Sequence, residues 1–344
     1  MKLVSYTTAG CRERLGIVVN GLVHDISACA AAMNHTIPQT MLTFLDGGAS
    51  AMDAVREVEM AIAGGHCAAA LTPGSYSLLA PVPHPRSCRD GYAFRQHVAT
   101  ARRNRGVDMI PEFDQFPVFY FTNHQAIFGE GPIEVELDHL QQLDFELEAA
   151  VVIGREGKNI SSERADEYIA GFTIMNDFSA RALQMEEMKL SLGPAKGKDF
   201  ATTLGPWLVT PEELRQYTRS TPSGVQHDLR MTAFHNNTLI SDGNLGDMNW
   251  TFAELIERAS YGVTLYPGDV IGSGTVGSGC YLELNGTRAL EAKARGESFS
   301  PTWLNAGDTI ALEITGLGRL SNSIVKSTSG LSLLAKRKHV AAVS

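Results

Sequence analysis

Leu143-Asp144-Phe145-Glu146-Leu147-Glu148-Ala149-Ala150-Val151-Val152-Ile153-Gly154 is the stretch on which the reading of this chain turns. It begins as an alternation and ends as a continuous apolar run. Side chains alternate faces along a strand, so Glu146 and Glu148 point the same way. The Ala-Ala-Val-Val-Ile portion has no polar face, the pattern of a strand covered on both sides. A Glu-x-Glu pair is ordinarily the solvated face of an amphipathic strand. In an apolar strand, however, two parallel carboxylates repel each other and lose hydration, and they need a cation or a shared proton. A hard divalent metal bound by oxygen is the simplest answer. Asp177 closes a second apolar segment, Gly171-Phe172-Thr173-Ile174-Met175-Asn176-Asp177, and offers a further carboxylate.

Composition narrows the partners. The 344 residues allow a large core and two units, one small and one large. A net charge of −9, with only the short basic run Arg102-Arg103-Asn104-Arg105, argues against a nucleic-acid partner. No apolar run approaches the roughly 20 residues of a membrane span. The start, Met1 to Thr7, lacks the apolar region of a secretory signal, so a cytoplasmic location is expected. The five cysteines, Cys11, Cys29, Cys67, Cys88 and Cys280, are scattered and contain no Cys-x-x-Cys pair. They read as small buried side chains in a reducing compartment, not as a disulfide framework or a zinc site.

The expected fold class is mainly β (α+β). Leu15–Val19 and Leu22–Ile26 flank Asn20-Gly21, a two-residue hairpin signal. Residues 37–63 read as helical, with Met41, Phe44 and Leu45 on one face and Ala54, Val55, Val58 and Ile62 on another. Pro81, Pro83 and Pro85 mark a boundary, giving a small N-terminal unit over 1–80 and a large β-rich unit over 85–335. In the second unit few helices are expected; 163–169 and 252–260 read as short ones, with Thr251 as a cap of the second. Many strands and little βαβ alternation argue for a closed roll or sandwich, not a doubly wound sheet.

Four further clusters carry chemistry. If Asp90 opens a helix, Asp90, Phe94 and His97 share one face; they offer an oxygen ligand and a base, and Asp90 is equally an N-cap. Asn176-Asp177-Phe178-Ser179-Ala180-Arg181 ends a strand and opens a helix that carries Gln184. Gly197-Lys198 lacks the spacing of a nucleotide P-loop, and Lys198 could complement an anion or enolate. Gly272-Ser273-Gly274-Thr275-Val276-Gly277 matches a dinucleotide fingerprint, but Tyr281 to Leu284 after it read as strand. The segment is therefore read as a tight turn whose amides and Thr275 are available to a carboxylate.

In order and approximate spacing, these segments resemble the fumarylacetoacetate hydrolase family from about residue 85 to the end. The resemblance implies a mixed β-sandwich roll, a homodimer and a divalent metal, Mg²⁺ foremost with Mn²⁺ or Ca²⁺ as alternatives. It implies cleavage of a carbon–carbon bond in a 1,3-diketo acid such as fumarylacetoacetate, fumarylpyruvate or another acylpyruvate. By position, Glu146, Glu148 and Asp177 resemble the metal ligands, Asp90 the fourth ligand, and Thr202 a support of the metal-side loop. His97 resembles the base that activates water and Glu283 the carboxylate that orients it, with Arg181 nearby. Lys198 and Thr275 resemble contacts to the substrate or transition state, and Tyr92 and Gln184 resemble substrate contacts. Met188 departs from the pattern, standing where the animal enzyme has a tyrosine. Arg102 and Arg103 are the candidates for a substrate arginine. The same site could instead decarboxylate a 2-oxo acid, isomerise a related acid or dehydrate a sugar acid. A non-catalytic, metal-dependent binding protein is the alternative from another class.

Overall fold

Ala149, Val151 and Ile153 face one apolar core, and Ala150 and Val152 face another. That is why the central run shows no alternation: its strand, Leu147–Ile153, is buried on both sides. The computed structural model describes residues 1–10 and 12–336. Its framework is a strand-rich mixed roll, as expected, in which an eleven-stranded sheet packs on a five-stranded one. The larger sheet runs in the order Leu22–Asp25, Arg14–Val19, Lys2–Thr8, Thr202–Val209, Ile169–Asp177, Leu147–Ile153, Val270–Gly272, Cys88–Gly91, Phe119–Thr122, with Tyr76–Leu78 also paired to Lys2–Thr8 and Ile127–Phe128 to Thr202–Val209. The smaller runs Thr238–Asn244, Arg230–His235, Thr309–Ile314, Gly318–Lys326, Gly131–Val135. Between them lie Phe172, Ile174, Met231, Leu312 and Ile324.

The N-terminal residues extend the large sheet. Lys2–Thr8 pairs antiparallel with Thr202–Val209, and the hairpin turning at Asn20 and Gly21 continues from it. The helices Ile26–Ala32, Met41–Asp46 and Gly48–Ala63 help cover the outer face through Ile26, Met41, Phe44, Val55 and Val58.

Three expectations are corrected. The helix expected over 37–63 starts at Met41 and breaks at Gly48, whose φ of +56° suits glycine but not a continuing right-handed helix. Cys29 and Cys67 form a disulfide with Cα atoms 5.8 Å apart, tying the first helix to the residues beyond the third; sequence spacing carries no sign of it. Cys88 and Cys280 are free and buried, and Cys11 lies outside the described residues. Finally, Tyr281–Arg295 is a helix, not a strand. Its first N–H groups, on Tyr281 and Leu282, donate to the carboxylate of Asp144 at 2.7 and 2.9 Å. A cap supplied by a residue so far away in sequence leaves no local signature. Among the described residues, no helix is long and apolar enough to cross a membrane.

His227 lies against the ring of Phe172, with centroids 4.5 Å apart. Burial pushes it down to about 4. An imidazole that resists protonation in the fold keeps its contribution above the unfolded value and loses it as pH falls from about 6.5 to about 4. The loss reaches up to about 3 kcal/mol. Denaturant unfolding of wild type and His227→Gln across that window checks this: the variant's stability should vary less with pH.

Candidate active site

The carboxylates come together because neighbouring strands end alike. Cys88, Ala150, Val152, Met175 and Leu204 belong to the outer core. Asp90, Glu148, Asp177 and Thr202 lie two residues along the same strand faces, at the edge of that core. Ligand oxygens of Asp90, Glu146 and Glu148 all lie within 4.8 Å of one another, and all three residues are buried. Gly272 makes the space. A Cβ there would stand 2.8 Å from Asp90 Oδ1 and 3.1 Å from Glu148 Oε2.

Two sequence readings change locally. Asp90 belongs to the strand Cys88–Gly91, and the helix carrying His97 begins only at Arg95, so Asp90 neither caps that helix nor shares its face. The strand carrying Glu148 does not include Glu146. Leu143–Asp144 pairs with Ser179–Ala180, and the next strand begins at Leu147. Polar side chains bridge the gap: the Phe145 and Glu146 amides donate to Asp144 Oδ1 at 2.9 Å and Asn176 Oδ1 at 3.0 Å.

Charge is unevenly balanced in the cluster. Lys198 Nζ donates to Glu146 Oε2 at 2.6 Å and Asp177 Oδ2 at 2.9 Å. Arg181 donates through Nη2 to Glu146 Oε1 and through Nε to Asp144 Oδ2, each at 2.8 Å. Burial works to raise Glu146, but Lys198, Arg181 and His97 outweigh it and hold this carboxyl well below its usual range. Burial likewise works to lower the Lys198 ammonium, and Asp177 and Glu146 overcome it. Among the described residues, no cation bonds to the carboxylates of the other side, Asp90 and Glu148. Burial and then the charge of Asp177 push Asp90 up to about 8. Burial, with Asp90 beside it, pushes Glu148 well above the carboxylate range. Asp90 Oδ1 is buried without a partner, while the Gly274 amide and Thr275 hydroxyl donate to Glu148 at 3.1 and 3.4 Å. The tight turn thus receives a carboxylate, that of Glu148. These oxygen donors, with an orphaned oxygen and a pocket that a single Cβ would fill, fit a hard divalent cation.

His97 and Glu283 stand beside the cluster. His97 Nδ1 lies 2.7 Å from Glu283 Oε2, both side chains are nearly closed to solvent, and the Ser278 amide donates to Glu283 Oε1 at 2.9 Å. The Tyr92 ring meets His97 edge-on at 5.9 Å. Gln184 Oε1 accepts from Arg181 Nη1 at 3.0 Å, and the Thr202 hydroxyl lies 3.5 Å from Asp177 Oδ1. Arg102 and Arg103 bond instead to the Asp108 carbonyl and the Thr287 hydroxyl. Met188 is partly exposed near the end of its helix.

Three residues were missed by sequence reading. Tyr120 donates its hydroxyl to Asp177 Oδ2 from the sheet's edge strand, a relation with no trace in spacing. Glu187 accepts from the backbone amides of Ala195, Lys196 and Gly197 at 2.8–3.1 Å and so fixes the loop that presents Lys198. Asp144 accepts from Arg181, Phe145, Tyr281 and Leu282 while fully buried. It shares strand parity with Glu146 and Glu148, which was the available signal. Asp144→Asn turns part of that acceptor into a donor and leaves the Arg181 charge short of a partner. The expected cost is about 3–5 kcal/mol, read as a lower urea midpoint; an unchanged midpoint would count against the anchoring role.

A strand-rich roll with a buried acidic cluster at its strand ends defines a class of enzyme framework. Residues 87–325 match the model of the fumarylacetoacetate (FAA) hydrolase C-terminal domain, and the chain belongs to that family. It is 32% identical over 226 residues to an oxaloacetate tautomerase of Bacillus subtilis (strain 168), covering 64% of this chain and 66% of that one, just under two thirds of its length. It is 30% identical over 299 residues to a mitochondrial oxaloacetate tautomerase of Bos taurus, covering 86% and 82%. Among solved structures it is similar to fumarylacetoacetate hydrolase from the psychrophilic Exiguobacterium antarcticum, with a TM-score of 0.67, 25% identity, and 95% and 100% of the two chains covered.

Proposed function

We propose that this chain is a divalent-metal-dependent enzyme that moves a proton within a 2-oxo acid bearing a second carbonyl, with oxaloacetate keto–enol tautomerisation as the leading reaction. The observation that carries this reading is the buried His97–Glu283 pair beside the acidic cluster. Asp90, Glu146 and Glu148 would hold the cation, with Asp177 as the fourth carboxylate. When bound, Mg²⁺ or Mn²⁺ polarises the carbonyl oxygens and makes the carbon between them more acidic. Glu283 accepts from Nδ1–H, which leaves the lone pair of the neutral ring on Nε2. That nitrogen takes the proton from carbon and returns one to oxygen, and the reverse transfer restores the ketone. Lys198, buried and held charged, supplies a donor where negative charge develops.

Tautomerisation needs only this proton carrier. Hydrolysis of an acylpyruvate needs, in addition, a water placed for attack on the distal carbonyl. It remains the second reading, supported by the same pair and by the similarity to the Exiguobacterium hydrolase. Purified protein with added Mg²⁺ or Mn²⁺ separates the two. Accelerated loss of enol absorbance from oxaloacetate, with no cleavage of acylpyruvates or fumarylpyruvate, supports the first. Stoichiometric pyruvate from the diketo acids, with no effect on the enol, would replace it by the second.

A further inference from the structure

A second set of donors adjoins the acidic cluster and differs from it in kind. His97, Cys280 and Glu283 are buried, and one ligand atom of each lies within 4.8 Å of the others. The set is one imidazole nitrogen, one sulfur and one carboxylate oxygen, where Asp90, Glu146 and Glu148 offer oxygen alone. Hard cations choose the oxygen set; the mixed set, with a thiolate, is that of Zn²⁺ or Co²⁺. Cys280 is fully buried, and it immediately precedes the helix that Asp144 caps, so its position is fixed on the same element as Glu283.

The spacing is close to what such an ion requires. Zinc–ligand bonds of about 2.0–2.3 Å place tetrahedral donors about 3.3–3.6 Å apart. His97 Nδ1 and Glu283 Oε2, now 2.7 Å apart, would separate slightly to admit the ion. Three protein donors then leave one position for water.

We propose that His97, Cys280 and Glu283 form a second cation site, selective for Zn²⁺-like ions, whose filling silences the proton-carrying pair. Sulfur, nitrogen and oxygen each form a bond to the ion; the thiol proton goes to water, the Nδ1 proton moves to Nε2 and occupies the lone pair that carried protons, and the His97–Glu283 hydrogen bond breaks. The imidazole is then committed to the ion, and Glu283 no longer orients it. The silencing rests on the role proposed for His97; the binding does not.

The test uses Co²⁺ as probe, added to the full-length protein already saturated with Mg²⁺. The expected result is one thiolate-to-cobalt charge-transfer absorption per chain, absent in Cys280→Ser and in Cys280→Ala and retained in Cys88→Ser. In turnover assays, Zn²⁺ should suppress the wild type, and the half-inhibiting concentration should rise at least about tenfold in Cys280→Ser. Zinc-free turnover of that variant should match wild type. Absence of the absorption in wild type, or its survival in both Cys280 variants, overturns the site. An intact absorption with undiminished turnover overturns the silencing and the role of His97 together. If no 2-oxo acid is turned over, the proposed function fails while the absorption still decides the site.

Discussion

Replacing His97 by alanine should lower turnover of the 2-oxo acid about 10²–10⁴-fold, the usual worth of a positioned base, and leave Mn²⁺ binding close to wild type. The two readouts part because His97 is not among the clustered carboxylates. It sits on the helix Arg95–Asn104, against Glu283. Removing the ring also strands a buried carboxylate, since Glu283 would keep only the Ser278 amide. That loss costs about 1–3 kcal/mol and could be mistaken for the catalytic effect. His97→Gln separates the two. Its amide can still donate to Glu283 but has no lone-pair nitrogen to carry a proton. The expected pattern for Gln is a near-normal unfolding midpoint, retained Mn²⁺ binding by calorimetry, and activity as low as in the alanine variant. Recovery of turnover in the Gln variant would remove His97 as the proton carrier.

How far the sequence reached follows from where each interaction's information lies. Glu146, Glu148 and Asp177 were visible because carboxylates in apolar strand segments stand out against their neighbours. The double burial of Leu147–Ile153 was visible for the same reason. The hairpin at Asn20-Gly21 and the Thr251-capped helix Phe252–Ser260 are local, and both are present. What failed was non-local. The helix at Tyr281 takes its cap from Asp144, and Asp90 takes its strand from pairing with Val270–Gly272 and Phe119–Thr122. Cys29, in the first helix, meets Cys67 across the two helices that lie between them in sequence. The break before Leu147 depends on Asn176, which supplies from a neighbouring strand the acceptor for Glu146. None of these has a periodicity to find. The carboxylate set was thus legible as chemistry, while its geometry waited on tertiary pairing.

Lys198→Met should destabilise the metal-free protein by about 3–5 kcal/mol, the cost of leaving buried charge without its partner. At this chain length that corresponds to a fall in Tm of roughly 4–7 °C. Methionine keeps much of the side chain's volume, so the loss is one of charge and hydrogen bonds more than of packing. Without the ammonium, Glu146 retains Arg181, and Asp177 retains the hydroxyls of Tyr120 and Thr202. Burial, already the largest influence raising Asp177, then acts with less opposition, and the same holds for Glu146. Both carboxyls should bind protons more tightly in the folded variant than in the wild type. A folded state that holds protons the unfolded chain releases loses stability as pH rises. The deficit should therefore be smaller near pH 5 than near pH 8, as roughly set by carboxyl groups raised from ordinary values near 4. A divalent cation held as proposed would supply the missing charge to the same carboxylates, so Mn²⁺ should raise the Tm of Lys198→Met by more than that of wild type. Thermal unfolding of both proteins at the two pH values, with EDTA and with Mn²⁺, gives the four comparisons needed. Equal midpoints in EDTA would show that Lys198 does not balance the cluster. Equal shifts on adding Mn²⁺ would show that the ion and the ammonium do not act on the same carboxylates.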